Sequence, residues 1–419
     1  MHGAALITTV LNDPVAGPQK FGVVVDDFAN LAGATDFIVS FVDSLVRAAD
    51  DREIVLILRA PAKWYRPISL ARFARAILQG RIRETYPHWQ HQLSLLRQSG
   101  LADLPVLVTE RTGKALLDLC KSNNIDVVGP LGAAIRGAFP MPWIGWIYDF
   151  QHRYLSEFFS QKEVRGRNHA FKLMLAKADA VVVNASNVKT DAEKFFPGMA
   201  DRVIALPFSA APKCEWFGED TEVVCRKYNI APRYFLISNQ FWIHKRHETA
   251  LKAFAEVAQI DTTVELVLTG QTHDPRAPNR LADLKLLSAK LGIAERVHIL
   301  GLIPKLEQIA IMQGAIAVVQ PTAFEGGPGG GSVFDAVALG VPTIVSDIPV
   351  NREIQSYVTN YFPLDDAEAL ARIMQNTMKI VHPNRSAEEL ISAGNLRRYE
   401  AGCAIWRAAS LAYKNFHAK

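Results

Sequence analysis

The hydrophobic and polar positions of this chain follow two alternating patterns. Short apolar runs such as residues 54–59 (IVLILR) and 180–186 (AVVVNAS) are typical of strands buried on both faces of a parallel sheet. Between such runs, segments such as 35–47 carry apolar residues at helical spacing. The pattern predicts strands at 22–26, 54–59, 105–110, 126–131, 143–149, 180–186, 202–208, 234–240, 264–270, 297–303, 315–321 and 342–347.

The predicted strands fall into two sets, separated by residues 207–212 (PFSAAP), which are rich in turn formers. Strands that alternate with helices indicate a parallel sheet with helices on both faces. The fold class is therefore α/β, with two Rossmann-like domains that we place at residues 1–208 and 209–394. Because ligands bind beyond the carboxyl ends of strands in such sheets, a cleft between the domains is the expected site.

The composition excludes several classes of protein. Of the 419 residues, 49% are hydrophobic and 21% are charged, which is ordinary for globular proteins and argues against disorder. The formal net charge of +4 does not by itself indicate nucleic-acid binding. No apolar run approaches the roughly 20 residues that a membrane-spanning helix needs. The first residues lack the basic start that is typical of a signal peptide. The four cysteines show no CxxC spacing, so neither a zinc ribbon nor a redox pair is indicated. We therefore expect a soluble cytoplasmic protein.

The most informative segment is residues 320–347 (QPTAFEGGPGGGSVFDAVALGVPTIVSD). A strand is predicted to end at Pro321, glycines dominate residues 326–331, and Ser332 is expected to cap a helix over 333–339. Glycines let the backbone approach a ligand, and a helix N-terminus offers free N–H groups to an anion. We interpret the loop as a diphosphate site, because neither the dinucleotide fingerprint nor a P-loop fits it. A structural loop with several left-handed residues is the alternative.

Two carboxylates flank this glycine-rich loop. Glu325 directly precedes it, and Asp335 lies in the predicted first helical turn. The helix dipole stabilises a carboxylate at that place, which would explain Asp335 without a ligand. Alternatively, Asp335 accepts hydrogen bonds from ribose hydroxyls. Glu325 gains little from a structural role, so it is the stronger functional candidate.

The same residues resemble a known signature. Residues 324–326 (FEG), 335–336 (DA) and 339–342 (LGVP) are similar to the donor-site motif of group 1 (family 4) glycosyltransferases, which have the GT-B fold. Part of that family carries the form FEGGPGGGSV. This chain departs from the usual pattern, which has a second glutamate in place of Asp335 and a spacer of about seven residues rather than nine.

Two further segments are similar to motifs of this family. Residues 238–247 (SNQFWIHKRH) resemble its basic segment after the first donor-domain strand. Lys245 corresponds there to a lysine that binds the donor diphosphate, and Gln240 stands where an arginine is usual. Residues 149–152 (DFQH) resemble its D-x-Q-H segment, in which a histidine lies near the reacting sugar.

The resemblance implies a retaining transfer of a sugar from a nucleotide diphosphate to a hydroxyl, with the leaving charge stabilised by the enzyme. It implies no cofactor and no metal, and no D-x-D triplet occurs in the chain. Segment 395–419 would return to the first domain. The implied catalytic residues are His152, Glu325 and Lys245, and the implied acceptor-binding residues are Asp149, Gln151 and His152. The implied donor-binding residues are Gln240, Lys245, Arg246, Gly270, Leu302, Glu325, Gly326, Gly327, Gly329, Gly330, Gly331, Ser332, Val333 and Asp335, of which Gly270 and Leu302 would lie at the nucleobase.

Two weaker features complete the candidates. Residues 59–83 contain seven basic and no acidic side chains, and an apolar stripe at helical spacing. Such a segment binds a membrane surface, or it is an ordinary packed helix with a solvated basic face. The pairs His88/His91 and His244/His247 have a spacing that suits a metal, but neither pair has a third ligand nearby in the sequence, so no metal site is predicted.

Three functions remain open. The leading hypothesis is a hexosyltransferase that modifies a glycan or lipid-linked glycan in the synthesis of lipopolysaccharide, capsule or exopolysaccharide. It would act in the cytoplasm or at the inner face of the cytoplasmic membrane, without nucleic acid as a partner. A second enzyme class keeps the fold but uses water or phosphate as acceptor, as epimerases and phosphorylases do. A third is a non-catalytic nucleotide-sugar-binding partner protein. Donor turnover without a glycan favours the second, and donor binding without any turnover favours the third.

Overall fold

The computed structural model describes residues 17–28, 34–60, 103–380 and 385–419. In this part of the chain, the first sheet contains β1 (Lys20–Val24), β2 (Glu53–Ala60), β3 (Val106–Glu110), β4 (Val127–Leu131), β5 (Trp143–Ile147), β6 (Ala180–Val183) and β7 (Val203–Ala205). The accompanying helices are α1 (Ala34–Arg47), α2 (Gly113–Ser122), α3 (Gln151–Tyr154), α4 (Gln161–Lys177) and α5 (Ser186–Phe195). The strands are parallel, in the order β3-β2-β1-β4-β5-β6-β7.

The second sheet contains β8 (Tyr234–Ser238), β9 (Glu265–Thr269), β10 (Val297–Gly301), β11 (Ala317–Gln320), β12 (Thr343–Ser346) and β13 (Asn360–Phe362). Its helices are α6 (Thr221–Lys227), α7 (His247–Ile260), α8 (Arg280–Lys290), α9 (Lys305–Gly314), α10 (Gly330–Leu339) and α11 (Ala367–Thr377), and α12 (Ala387–His417) follows. These strands are also parallel, in the order β10-β9-β8-β11-β12-β13.

Both faces of each sheet are covered by helices, as the apolar runs predict. Every residue of β4, β5 and β6 is buried. One face of the first sheet packs against α1 and α12, and the other packs against α2, α4 and α5. The second sheet is likewise enclosed by two clusters of apolar side chains. The prediction of two Rossmann-like domains is confirmed.

Helix α12 connects the second domain to the first. Near its start, Arg397 Nε donates a hydrogen bond of 2.5 Å to the carbonyl of Ala210, in the segment that joins the domains. Further along, Trp406 Nε1 donates to the carbonyl of Leu45 in α1 at 3.2 Å. The helix begins at Ala387, so it includes residues that sequence analysis assigned to the second domain as well as segment 395–419.

The loops beyond the strand ends of the two domains meet. Gln151, which follows β5, places its Nε2 3.3 Å from Nε2 of His244, which follows β8. Glu353 of the second domain accepts hydrogen bonds from the backbone N–H groups of Ser186 and Asn187 at 2.8 and 2.5 Å, at the start of α5. A second-domain carboxylate therefore caps a first-domain helix, and the candidate site residues lie along this junction.

Candidate functional site

A buried ion pair lies beyond the carboxyl ends of the second sheet. Lys245 ends the short 3-10 helix Ile243–Lys245 that follows β8, and Glu325 follows β11. Lys245 Nζ lies 2.6 Å from Glu325 Oε1, and the two side chains are 7% and 9% exposed. In such a place each charge depends on the other, because an unpaired buried charge is costly. The fold thus brings together two residues that sequence analysis singled out separately.

The glycine-rich loop turns into α10 earlier than predicted. Gly329 and Gly330 have φ angles of 67° and 63°, and the helix begins at Gly330 with Gly329 as its N-cap. The expectation that Ser332 caps this helix is therefore wrong, because two left-handed glycines complete the turn before Ser332 is reached. Ser332 is the third helical residue, and its buried Oγ has no hydrogen-bond partner among the described residues.

Gly330 and Glu325 are in direct contact. A Cβ placed on Gly330 would lie 2.8 Å from Glu325 Oε2 and 2.9 Å from Glu325 Cδ. The Glu325 carboxylate therefore rests on the first residue of α10, where only hydrogen atoms fit. By contrast, a Cβ on Gly331 would meet no atom within 4 Å. Open space therefore lies beside the start of the helix.

Two buried amides that sequence analysis missed hold this loop. Gln320 Nε2 donates to Glu325 Oε1 at 3.0 Å and to the carbonyl of Gly329 at 3.1 Å. Asn351 Oδ1 accepts from the N–H of Gly329 at 2.7 Å. Neither amide belongs to a recognisable motif. A buried strand that ends in glutamine before a glycine-rich loop is the one signal that could have marked Gln320.

The first domain contributes Asp149, which touches the glycine-rich loop. A Cβ on Gly326 would lie 2.9 Å from Asp149 Cβ, and one on Gly327 would lie 3.6 Å from Asn184 Cβ. Burial raises the pKa of Asp149 to about 6, and the charge of Glu325 raises it too, whereas the N–H of Gln151, Arg167 and Lys245 act in the opposite direction. Asp149 therefore lies close enough to Glu325 for their charges to interact.

His152, which is expected near the reacting sugar, lies in the interior of the first domain. Its side chain is fully buried and packs against Phe150 and Phe171. Nε2 lies 2.9 Å from Asn168 Oδ1, and burial lowers the pKa of the imidazole. The reason is that α3 is a single turn whose inner side points into the aromatic core. In this conformation Asp149 and Gln151, rather than His152, are the residues of segment 149–152 that contact the second domain.

The basic segment after β8 contributes Lys245 to the ion pair with Glu325, whereas Arg246 pairs with Asp365. Arg246 has a left-handed φ of 51°, and its Nε lies 3.2 Å from Asp365 Oδ1. Gln240 is half-buried, and a Cβ placed on Gly270 would lie 3.2 Å from its backbone nitrogen. Of the three candidate donor-binding side chains here, only Lys245 is directed to Glu325.

Asp335 also has a partner that sequence analysis did not predict. It lies in the second turn of α10, not the first, and it forms an ion pair with Lys305, the first residue of α9. Burial raises the pKa of Asp335, and Lys305 opposes that rise. A role in binding ribose would therefore be shared with Lys305.

Two other candidate donor-binding residues have clear positions. Leu302, expected at the nucleobase, is 72% exposed beyond β10. The side chain of Val333 is fully buried in the apolar core beneath α10. Only the backbone of Val333 could face a ligand, whereas the Leu302 side chain is free to contact one.

Arg59 and the pair His244/His247 have partners inside the protein. Arg59, at the end of β2, forms buried ion pairs with Asp26 and Asp27, so it cannot contribute to a surface patch. The remainder of the basic segment beyond Ala60, like His88 and His91, lies outside the described residues. His244 and His247 are buried and their rings pack against Trp242 and Phe241.

The described residues contain no group of three or more His, Cys, Asp or Glu side chains that could hold a metal ion. No described helix has the length and apolar character needed to cross a membrane.

Comparisons with known proteins agree with this architecture. Residues 226–394 match a family model described as glycosyl transferases group 1, whereas no curated protein matches the sequence. A glycosyltransferase from Rickettsia africae has 14% identity and a TM-score of 0.58, with 96% of this chain and 99% of that chain covered. HepE from Anabaena, solved with UDP and glucose, has 14% identity and a TM-score of 0.57 over 94% and 98%. The lipopolysaccharide outer core galactosyltransferase WaaB has 13% identity and a TM-score of 0.52 over 95% and 98%. At these identities the structural likeness shows a shared fold.

Proposed function

We propose that this chain is a group 1 glycosyltransferase, because its second domain matches that family model and its architecture is the GT-B fold of its structural neighbours. It is an enzyme of the hexosyltransferase type. Its reaction is the transfer of a hexose, with retention of configuration, from a nucleotide-diphosphate sugar to a hydroxyl group. The acceptor is a glycan or lipid-linked glycan of a cell-surface polysaccharide.

The observation that carries this proposal is the buried pair of Lys245 and Glu325 beside the start of α10. A nucleotide-diphosphate sugar presents a diphosphate next to a ring of hydroxyl groups. Lys245 offers a point charge for the diphosphate, and the N-terminus of α10 adds N–H groups and a favourable dipole. Glu325, 2.6 Å from Lys245, offers carboxylate oxygens for the sugar hydroxyls. The two parts of the donor thus have matching groups at neighbouring positions.

The chemistry of the site follows from where charge develops. When the bond between the sugar and the diphosphate breaks, negative charge accumulates on the departing phosphate oxygen. Lys245 and the helix N-terminus stabilise that charge, which lowers the barrier. These protein groups can meet the diphosphate charge themselves, so we propose a reaction without metal or other cofactor. Glu325 orients the sugar, and no covalent nucleophile is assigned.

The donor and acceptor classes are supported by structural neighbours. HepE was solved with UDP and glucose, and WaaB acts in the outer core of lipopolysaccharide. We therefore favour a uridine diphosphate hexose as donor and a polysaccharide of the cell surface as product. Such acceptors are assembled next to a membrane, so the enzyme would act in the cytoplasm close to the membrane surface.

A thermal-shift experiment tests the donor site directly. The purified protein is heated with UDP, GDP, ADP or dTDP, each with and without EDTA. A ligand at 100 times its dissociation constant adds about 2.7 kcal/mol to stability. We expect one nucleotide, with UDP favoured, to raise the midpoint equally in both buffers.

Lys245→Ala should abolish this ligand-induced shift, because it removes the cation at the diphosphate. Lys252→Ala is the matched control, since Lys252 is an exposed lysine of α7. The shift on adding ligand is compared within each variant, so that a change in intrinsic stability does not interfere. No response to any nucleotide, or an equal response in both variants, would contradict the proposed donor site. A loss of the shift with EDTA would contradict a metal-free reaction.

A further inference from the structure

Gln320 occupies an unusual position for a buried amide. It is the last residue of β11 and is 1% exposed. Its Nε2 donates to both ends of the glycine-rich loop, at Glu325 Oε1 (3.0 Å) and at the carbonyl of Gly329 (3.1 Å). Its Oε1 accepts from Asn239 Nδ2 at 2.5 Å, in the loop after β8. Every polar atom of this carboxamide is used, and each of its three partners borders the candidate donor site.

These contacts make the two carboxylate oxygens of Glu325 different from each other. Oε1 accepts from Lys245 at 2.6 Å and from Gln320 at 3.0 Å. Oε2 receives no hydrogen bond from the described residues and lies over Gly330. A carboxylate held by one oxygen cannot rotate freely, so the other oxygen has a fixed direction. Lys245 alone would not fix it, because an ammonium group is a flexible point charge.

We propose that Gln320 is the positioning residue of the donor site, which holds Glu325 by Oε1 so that Oε2 remains free to accept hydrogen bonds from the hydroxyl groups of the donor hexose. This inference rests on the proposed function, because it assigns the ligand of Oε2. It goes further by naming which oxygen binds the sugar and which neutral side chain aims it. A neutral amide suits this place, because it donates a hydrogen bond to Glu325 and carries no negative charge that would attract Lys245 away from the diphosphate.

The first test compares two binding constants in each variant. The ratio of the dissociation constants of the nucleoside diphosphate and of its nucleotide hexose reports the contribution of the sugar alone. Loss of a hydrogen bond to a charged group weakens binding by about 10- to 100-fold. Gln320→Leu should reduce this ratio by that factor and should change affinity for the nucleoside diphosphate much less.

Gln308→Leu is the matched control for removal of a carboxamide. Gln308 Nε2 donates to Ser238 Oγ and makes no hydrogen bond to Glu325. We expect the control to keep the wild-type ratio. An unchanged ratio in Gln320→Leu, or an equal fall in both variants, would overturn the inference.

The second test measures how the effect of a new carboxyl group depends on pH. A merely structural role of Gln320 would give no such pH dependence. Gln320→Glu places a second carboxyl next to Glu325, and two carboxyls at such a distance share a proton. When protonated, the new side chain can still donate to Glu325, and when ionised it repels it. Relative to wild type, the affinity of this variant for the nucleotide hexose should therefore fall by about tenfold or more between pH 5 and pH 8. The same affinity ratio at both pH values would contradict the assignment.

The outcomes separate this inference from the function on which it rests. If wild-type protein binds no nucleotide, the proposed function is wrong. The assignment of a sugar hydroxyl as the ligand of Glu325 Oε2 is then wrong as well. If wild-type protein binds the nucleotide hexose more tightly than the nucleoside diphosphate and the Gln320 variants do the same, only the role of Gln320 fails. Should Gln320→Glu not fold, the dissociation-constant ratio of Gln320→Leu decides.

Discussion

The contact between Gly330 and Glu325 gives the sharpest prediction about the glycine-rich loop. Gly330→Ala adds a methyl group at a residue whose φ is 63°, and a left-handed conformation costs an L-residue about 1–2 kcal/mol. The methyl carbon would also lie 2.8 Å from Glu325 Oε2. Since a side-chain end is displaced more easily than the backbone of a helix, Glu325 would be forced away from its present position while the backbone stays in place. We therefore expect both lower stability and a displaced carboxylate.

The magnitude depends on how far Glu325 moves. For a domain of 150–250 residues, 1 kcal/mol corresponds to about 2–4 °C in the unfolding midpoint. The backbone term alone thus predicts a fall of about 2–8 °C. If the movement also separates Glu325 from Lys245, a buried charge loses its partner, and the cost rises toward about 3–5 kcal/mol. Donor affinity should fall together with stability.

Gly331→Ala is the matched control one residue further along α10. Gly331 has no positive φ, and its added methyl group would meet nothing within 4 Å. Alanine is favoured over glycine inside helices by about 1 kcal/mol, so stability should be unchanged or slightly higher. Because that open space lies beside the proposed diphosphate, donor affinity should still fall. Differential scanning fluorimetry and titration calorimetry measure both quantities. Equal midpoints for the two variants would refute the role assigned to the Gly330 contact.

Three further substitutions test the buried ion pair, a buried histidine and the contact between the domains. Lys245→Met leaves Glu325 without its cation and should lower the free energy of unfolding, measured in urea, by about 3–5 kcal/mol. A fall below about 1 kcal/mol is typical of exposed ion pairs and would contradict the importance of burial for this pair. Burial lowers the pKa of His247 from 6.5 to about 3, so between these pH values the unfolded chain binds more protons and stability falls as the pH is lowered. His247→Leu should reduce that slope, and an unchanged slope would contradict it. Glu353→Ala removes the carboxylate that caps α5. Because Glu353 is exposed, the contact between the domains should weaken by about 0.3–1 kcal/mol, measured as a larger radius of gyration in X-ray scattering. The control Glu388→Ala, also at an exposed residue, should match wild type.

Much of the fold could be predicted because each strand carries its own signal. An apolar run between turn formers predicts a buried parallel strand wherever it occurs, and β1 to β12 all follow such runs, with ends that differ by a few residues. The strand β13 (Asn360–Phe362) was missed because three residues, only one of them buried, make no apolar run. Its pairing with β12 depends on contacts that arise only when the chain folds.

The candidate site could be predicted only in part. Lys245 and Glu325 were found from separate motifs, but their contact joins residues 80 positions apart, and nothing local indicates it. The pairing of Asp335 with Lys305 and the burial of His152 are of the same kind, because each depends on which neighbour the tertiary structure supplies. A short sequence pattern identifies a chemically suitable residue type, whereas burial and partners decide what that residue can do.

The glycines of the loop illustrate this limit and lead to a physical distinction among them. The sequence favours one purpose for all of them, the approach of the backbone to a diphosphate, over the alternative of a structural loop with several left-handed residues. In the structure, Gly326 is required by the first domain, since a side chain there would meet Asp149, and Gly330 is required by Glu325. Gly331 has open space beside it. Substitution of Gly326 should therefore disturb the contact between the domains, substitution of Gly330 should displace the carboxylate, and substitution of Gly331 should affect the donor alone. The glycines of this loop therefore answer to different neighbours, and each substitution should show its effect at a different place.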